Sequence, residues 1–327
     1  MAITASVLED IDEPGGIVRV ACAASTLATH LRPDLDALLA LWMCQRLRQY
    51  AGMSPAKVLF VPANVRGVEE GVLAVDMGTS KGVRTFGKGH CLKWSAHPEG
   101  GSSSLAVWRA QPEDERPIFE NLVKAISDAD QRGENVHRII SKKGMGATSL
   151  NETARGQILA TNMWTMHQAM MAVSDDTQLW ALWKTVFDGI LTTGLMLKES
   201  ENYAGRSNML CKGVLAILPH NAPPPTSRIV FDRGAKLSVF SSELGPSVWT
   251  LGVTRSASLS ASFINLAKFQ EEITALVPGI YIHPSGYLAG WTATAPLFAS
   301  REEFEKKRQD LIRAMVQVVS SLLLARG

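Results

Sequence analysis

The segment Ala28–Trp42, Ala-Thr-His-Leu-Arg-Pro-Asp-Leu-Asp-Ala-Leu-Leu-Ala-Leu-Trp, constrains this chain more than any other. It sets one imidazole and two carboxylates at the mouth of a helix, directly after a run of small and β-branched residues, Ile17–Thr29, that reads as a strand. Pro33 stops that strand and can serve as the helix's first residue. Acids in a helix's first turn are stabilised as anions by the helix dipole, by about 0.3–1 kcal/mol each. His30, Asp34 and Asp36 then converge on an apolar frame, and hard oxygens with one imidazole suit Mn²⁺ or Mg²⁺. The plain alternative is a capped helix with acidic N-terminal residues and an incidental histidine.

At 327 residues the chain is long enough for two domains, each with its own core. A net charge of +2 is too small to announce a nucleic-acid binder by field alone, although a local basic groove would still steer an anion. Cys22, Cys44, Cys91 and Cys211 show no C-x-x-C spacing, so neither a zinc ribbon nor a disulfide framework is suggested, and a reducing cytoplasm fits best. Glu9, Asp10, Asp12 and Glu13 stand where a signal peptide wants a cationic start, and no run reaches about 18 apolar residues. The expectation is a cytoplasmic protein with no membrane partner.

The motif helix is expected to end near Ala51-Gly52, with strands at 57–63 and 72–75 after it. Strands alternating with helices predict a parallel sheet, and Asp76 at a strand's C-terminal end stands where open α/β sheets put their chemistry. A Gly-rich basic loop follows over 78–89. Ser102–Ser104 open a helix whose N–H groups either bind a phosphate, with Ser103 central, or are plainly capped. The helix over 119–133 ends in Asp128 and Asp130; acids there oppose the dipole, and a bound cation would relieve them. Two helices over 152–198 carry Met163, Trp164, Trp183 and Phe187 as core, and His137 and His167 read as ordinary histidines. Beyond them, a strand at 213–218 and strand-like runs at 229–231, 237–240 and 248–253 predict a mainly antiparallel sheet. In Pro278–Trp291, His283 can donate to a phosphate that Gly286 and Gly290 let approach, and Tyr287 or Trp291 can stack a base. Arg255 is a further phosphate candidate, or a surface salt bridge. The tail from Arg301 is an amphipathic helix.

His30, Pro33, Asp34, Asp36 and Ala37, as H-x-x-P-D-x-D-A, resemble motif I of the DHH phosphoesterase superfamily, which includes RecJ-type exonucleases, oligoribonucleases and cyclic-dinucleotide phosphodiesterases. Asp76, about 40 residues on, matches the superfamily's second motif. Where members carry Asp-His-His, this chain has Lys88-Gly89-His90, keeping only the second histidine; His90 carries over as a phosphate contact and one metal is short of a ligand, for which His97 substitutes only if the loop folds back and is otherwise a surface histidine. The 119–133 helix resembles the acidic fourth motif of the melanocyte-proliferating-gene-type exoribonucleases, with Asp130 as the ligand and Asp128 in reserve. The segment Pro278–Trp291 resembles their C-terminal signature, whose Gly-rich histidine motif lies, in the wider superfamily, in the DHH-associated substrate-binding domain.

The resemblance implies an α/β protein: a parallel-sheet catalytic domain over 1–195 and a smaller α+β substrate-binding domain over 196–327. Mn²⁺ (or Mg²⁺) would be held by His30, Asp34, Asp36, Asp76 and Asp130, with His30, Asp36 and His90 catalytic and Ser103, Arg255, His283, Gly286 and Gly290 on the substrate. The implied activity is metal-dependent phosphodiester hydrolysis, as a 3′–5′ exonuclease or oligonucleotide hydrolase. Its partners would be single-stranded RNA, a short oligonucleotide or a nucleotide, and a second copy in a homodimer. The incomplete third motif supports a rival, a catalytically degenerate DHH-like nucleotide-binding or scaffold protein. An Asp-nucleophile phosphatase would place D-x-D directly after the strand, where His30, Arg32 and Pro33 intervene here.

Overall fold

A computed structural model describes residues 14–78, 82–93, 101–132, 163, 165–245, 248–258, 264–291 and 300–324. The chain divides into two compact units, Met1–Thr192 and Thr193–Gly327. His97, His137 and Trp164 lie outside the described residues.

The first unit runs α1 (Pro14–Ala23), β1 (Thr26–His30), α2 (Leu35–Tyr50), β2 (Lys57–Val61), β3 (Val72–Val75), β4 (Gly82–Phe86), β5 (Gly89–Lys93), α3 (Ser103–Arg109) and α4 (Arg116–Arg132). Helical residues 165–173 and the first part of α5 (Asp176–Gly205) follow. Its sheet has the order β2-β1-β3-β5-β4, parallel except for β4.

The Ile17–Thr29 run is not one strand. Ile17, Val20, Ala21 and Ala24 are buried at helical spacing, so the run divides into α1 and β1. The break is held by the buried Arg48, whose guanidinium donates to the carbonyls of Ala21, Cys22 and Ala24 and, on its other side, to Ser54. These are the carbonyls a helix end leaves without partners. Within the expected loop over 78–89, Gly82–Phe86 form β4, which pairs with β5 as an antiparallel hairpin. Helix α2 is apolar on nearly all sides because it is buried on nearly all sides, and Gln45 fixes the start of β2 by exchanging two hydrogen bonds with Ala56. Leu27, Leu73, Val75, Val83 and Leu92 give the sheet one apolar face, against which α1–α4, Met163 and the Trp183–Phe187 stretch of α5 pack.

The second unit runs β6 (Asn208–Leu210), β7 (Leu215–Ile217), α6 (Pro225–Asp232), β8 (Leu237–Gly245), β9 (Val248–Arg255), α7 (Gln270–Leu276), β10 (Tyr281–Ile282), β11 (Leu288–Gly290) and α8 (Arg301–Leu324). The sheet order is β10-β11-β9-β8-β7-β6, antiparallel but for β7 and β8. Alternation sorts its faces: Leu215, Ile217, Leu237 and Val239 join the core that holds α8, while Ala216, Leu218 and Phe240 join Ile229, Val230 and Phe231. The run 229–231 is therefore helical, not a strand. Pro224 and Pro225 stand at the start of α6, where a missing N–H costs nothing, and Val230 is buried against the sheet.

No described helix is long and apolar enough to cross a membrane.

His167 is fully buried beside Trp183, with ring centroids 5.8 Å apart. Burial pushes its pKa down to about 4, and the Pro33 backbone pulls weakly the other way. The unfolded chain therefore takes up a proton near pH 6.5 that the folded chain refuses until about pH 4. Its contribution to stability is whole above pH 6.5 and is lost as the pH falls toward 4. Between pH 7.5 and pH 5.0 the melting temperature should fall further in the wild type than in His167→Leu. Equal falls would show that His167 does not titrate this way.

Candidate metal centre

Strand β1 leads through α2 to β2 on one side, while β3 lies on β1's other side, so the C-terminal edge between β1 and β3 is a topological switch point. Open α/β sheets bind ligands in that crevice. His30 is the last residue of β1 and Asp76 follows the last residue of β3. Asp34 is the N-cap of α2, its Oδ1 accepting the Ala37 N–H at 2.9 Å. The helix thus begins after Asp34 and not at Pro33. One ligand atom from each of His30, Asp34 and Asp76 lies within 4.8 Å of the other two. Ligand atoms on a small divalent ion with bonds of about 2.1 Å stand at most roughly 4.2 Å apart, so two carboxylates and an imidazole within 4.8 Å of one another need only small side-chain movements to close on one such ion.

Each donor is held from behind. His30 Nδ1 donates to the Leu31 carbonyl at 3.0 Å; a carbonyl only accepts, so the neutral ring carries its proton on Nδ1. Its Nε2 lone pair then faces Asp76 Oδ2, 3.8 Å away. Asp76 has a left-handed backbone, φ 57°, and its N–H donates to the Leu92 carbonyl at 2.8 Å. Arg32 has φ 55°; its N–H reaches Asp176 at 3.2 Å and its guanidinium the Met171 and Ser174 carbonyls at 2.8 and 3.1 Å. Sequence reasoning missed Arg32 because its partners lie about 140 residues away.

Asp36 does something else. It is buried, and both oxygens face the start of α3: Oδ2 accepts the Ser103 N–H at 2.9 Å, and Oδ1 accepts the Ser104 N–H at 3.0 Å and hydroxyl at 2.5 Å. Asp36 is not among the three converging ligands. The N–H groups that a phosphate would have needed are occupied, and Ser102 caps Leu105 as well. Ser103 Oγ donates to Asp76 Oδ1 at 2.9 Å.

The acids outweigh the cations nearby. Asp34 is raised by burial and then by Asp76; Asp36 is pushed up to about 8 by burial, then by Asp76 and Asp34. Asp130, at the solvent-facing end of α4, is pushed up to about 6, first by partial desolvation, then by Asp34 and Asp76, with Lys93 opposing. Asp130 is not among the three converging residues, although the charges of Asp34 and Asp76 act on it. His30 is raised, chiefly by Asp76. A divalent cation would relieve every one of these carboxylates.

His90 is placed elsewhere. It pairs with Leu73, three residues before Asp76, so at about 3.3 Å per residue it sits roughly 10 Å back from the edge. In the second unit, His283 Nδ1 accepts the Ser285 N–H at 3.2 Å, which leaves the neutral ring's proton on Nε2. Its ring lies 4.5 Å from that of Tyr287, whose carbonyl accepts the Arg255 N–H at 2.9 Å. Arg255 Nε is buried with no hydrogen-bond acceptor among the described residues. Gly286 and Gly290 have a packing reason: a Cβ would come 1.7 Å from Asn265 Oδ1 at the first and 2.8 Å from the Leu251 carbonyl at the second.

No family model and no curated protein matches the chain. Among solved structures that match is the crystal structure of RecJ in complex with Mn²⁺ from Thermus thermophilus, 13% identical, covering 96% of this chain and 55% of that one, with a TM-score of 0.26. The chain spans about half the length of that RecJ.

The two motif aspartates should respond oppositely to substitution. Asp36→Ala strands buried N–H groups of Ser103 and Ser104, and should lower stability by about 1–3 kcal/mol or more. Asp34→Asn keeps the N-cap and removes a repelled charge, so the metal-free variant should melt at or above the wild-type temperature. Calorimetry in chelator checks both.

Proposed function

We propose that the protein is a divalent-metal-dependent phosphodiester hydrolase acting on single-stranded RNA or short nucleotides, as a 3′–5′ exonuclease or oligonucleotide hydrolase. The convergence of His30, Asp34 and Asp76 at the switch-point edge carries this reading. Bound there, Mn²⁺ or Mg²⁺ supplies charge that polarises a phosphoryl oxygen and activates water. His30 presents Nε2 in a fixed tautomer, and Asp34 and Asp76 supply hard oxygens. The second unit carries donors suited to an anion: the Nε2–H of His283 and the guanidinium of Arg255, with the exposed Tyr287 as a face for a base. The H-x-x-P-D-x-D-A string supports phosphoester chemistry over other metal chemistry. A nucleotide-binding protein without turnover is the second reading, favoured by the commitment of Asp36 to α3 and by the position of His90.

A 5′-labelled short RNA incubated with Mn²⁺ should release mononucleotides, and chelator should stop it. Asp34→Asn and Asp76→Asn should each lower the rate at least about 100-fold. RNA bound but never cleaved under any divalent ion would establish the second reading. Chelator-insensitive cleavage would refute both.

His283→Ala should raise KM while leaving Mn²⁺ affinity unchanged, because His283 is no member of the ligand cluster. Mn²⁺ titration and initial rates on one preparation measure both. An unchanged KM would remove His283 from the substrate site.

A further inference from the structure

We infer that Ser103 is a positioning residue for the metal centre, selecting which oxygen of Asp76 faces the cation; this rests on the reading of His30, Asp34 and Asp76 as ligands. A free carboxylate can rotate and offer either oxygen. Here Oδ1 takes the Ser103 hydroxyl at 2.9 Å, and Oδ2 is the oxygen that faces His30 Nε2 at 3.8 Å. Ser103 is itself immobilised, because its N–H donates to Asp36 Oδ2 and the residue is fully buried. Asp36 and Asp76 therefore meet through one serine: Asp36 fixes the serine's backbone, and the serine's hydroxyl fixes Asp76. Ligand carboxylates are commonly oriented by such hydrogen bonds, and their loss typically costs about 10–100-fold in metal affinity.

Ser104 is a matched control. It is equally buried and adjacent on α3, but its hydroxyl goes to Asp36 and not to Asp76. Ser103→Ala removes the link to Asp76 while keeping the backbone bond to Asp36.

The test is the Mn²⁺ dissociation constant, read from the free-ion signal in electron paramagnetic resonance, with melting temperature on the same samples. Ser103→Ala should weaken Mn²⁺ binding at least about 10-fold, whereas Ser104→Ala should stay within about twofold of wild type although it melts lower. Ser103→Cys, which keeps the volume and donates weakly, carries the same test should Ser103→Ala not fold. Binding within about twofold of wild type in the Ser103 variant, or equal weakening in both serine variants, would overturn the inference while leaving the metal site standing. A wild-type chain that binds no Mn²⁺ would instead refute the ligand reading.

Discussion

The first unit's site depends on one buried carboxylate. Burial pushes the Asp36 carboxyl up to about 8, and two backbone N–H groups and a hydroxyl from α3 satisfy it there, each hydrogen bond contributing about 0.5–1.5 kcal/mol. The exchange ties the first turn of α2 to the first turn of α3. It brings Ser103 beside Asp76, and it does so only because α3 begins with three small residues, Ser102 to Ser104, all buried. A bulkier side chain there would hold the helix away from the carboxylate.

Around this brace the chain collects more negative charge than it neutralises. Helix α2's N-terminus stabilises Asp34 and Asp36 locally, yet Asp34, Asp36 and Asp130 are all raised, and the charge of Asp76 contributes to each rise. The raised His30 answers only part of that deficit. Structural ion pairs in this protein look different: Arg46 meets Glu115, and Lys184 meets Asp188, one cation for one acid. An unbalanced cluster at a switch point therefore differs in kind from these pairs.

Much of this was legible in the sequence. The period-2 and helical patterns located β2, β3, α2, α4, β7, β8, β9 and α8, and the strand-end placement of Asp76 followed from Val72–Val75 alone. Local patterns failed where distant partners decide. Ile17–Thr29 is apolar throughout, and its division into helix and strand depends on Arg48, some 25 residues away. Residues 229–231 have a strand's composition, but prolines at the start of α6 and the sheet beneath it make them helical. Asp34 and Asp36 are alike by type; the packing of α3, almost 70 residues on, takes Asp36 to a helix N-terminus and leaves Asp34 beside His30 and Asp76. His90 has the expected order along the chain, while its distance from the edge depends on the register of β5 against β3, which no local pattern shows.

Backbone strain marks the same place. Of the non-glycine residues with positive φ in the first unit, the described ones are Arg32 and Asp76, one after β1 and one after β3. Such conformations cost on the order of 1–3 kcal/mol and persist only where the surroundings over-determine them. Arg32 is held by three bonds to residues 171–176, and Asp76 by the Leu92 carbonyl and the Ser103 hydroxyl. A continued strand would have sent the chain onward along the sheet at both points. His30 and Asp76 come level because β1 and β3 pair in parallel with Ala28 opposite Ala74, two residues before each, and the hydrogen bonds around Arg32 and Asp76 hold the turns that end the two strands there.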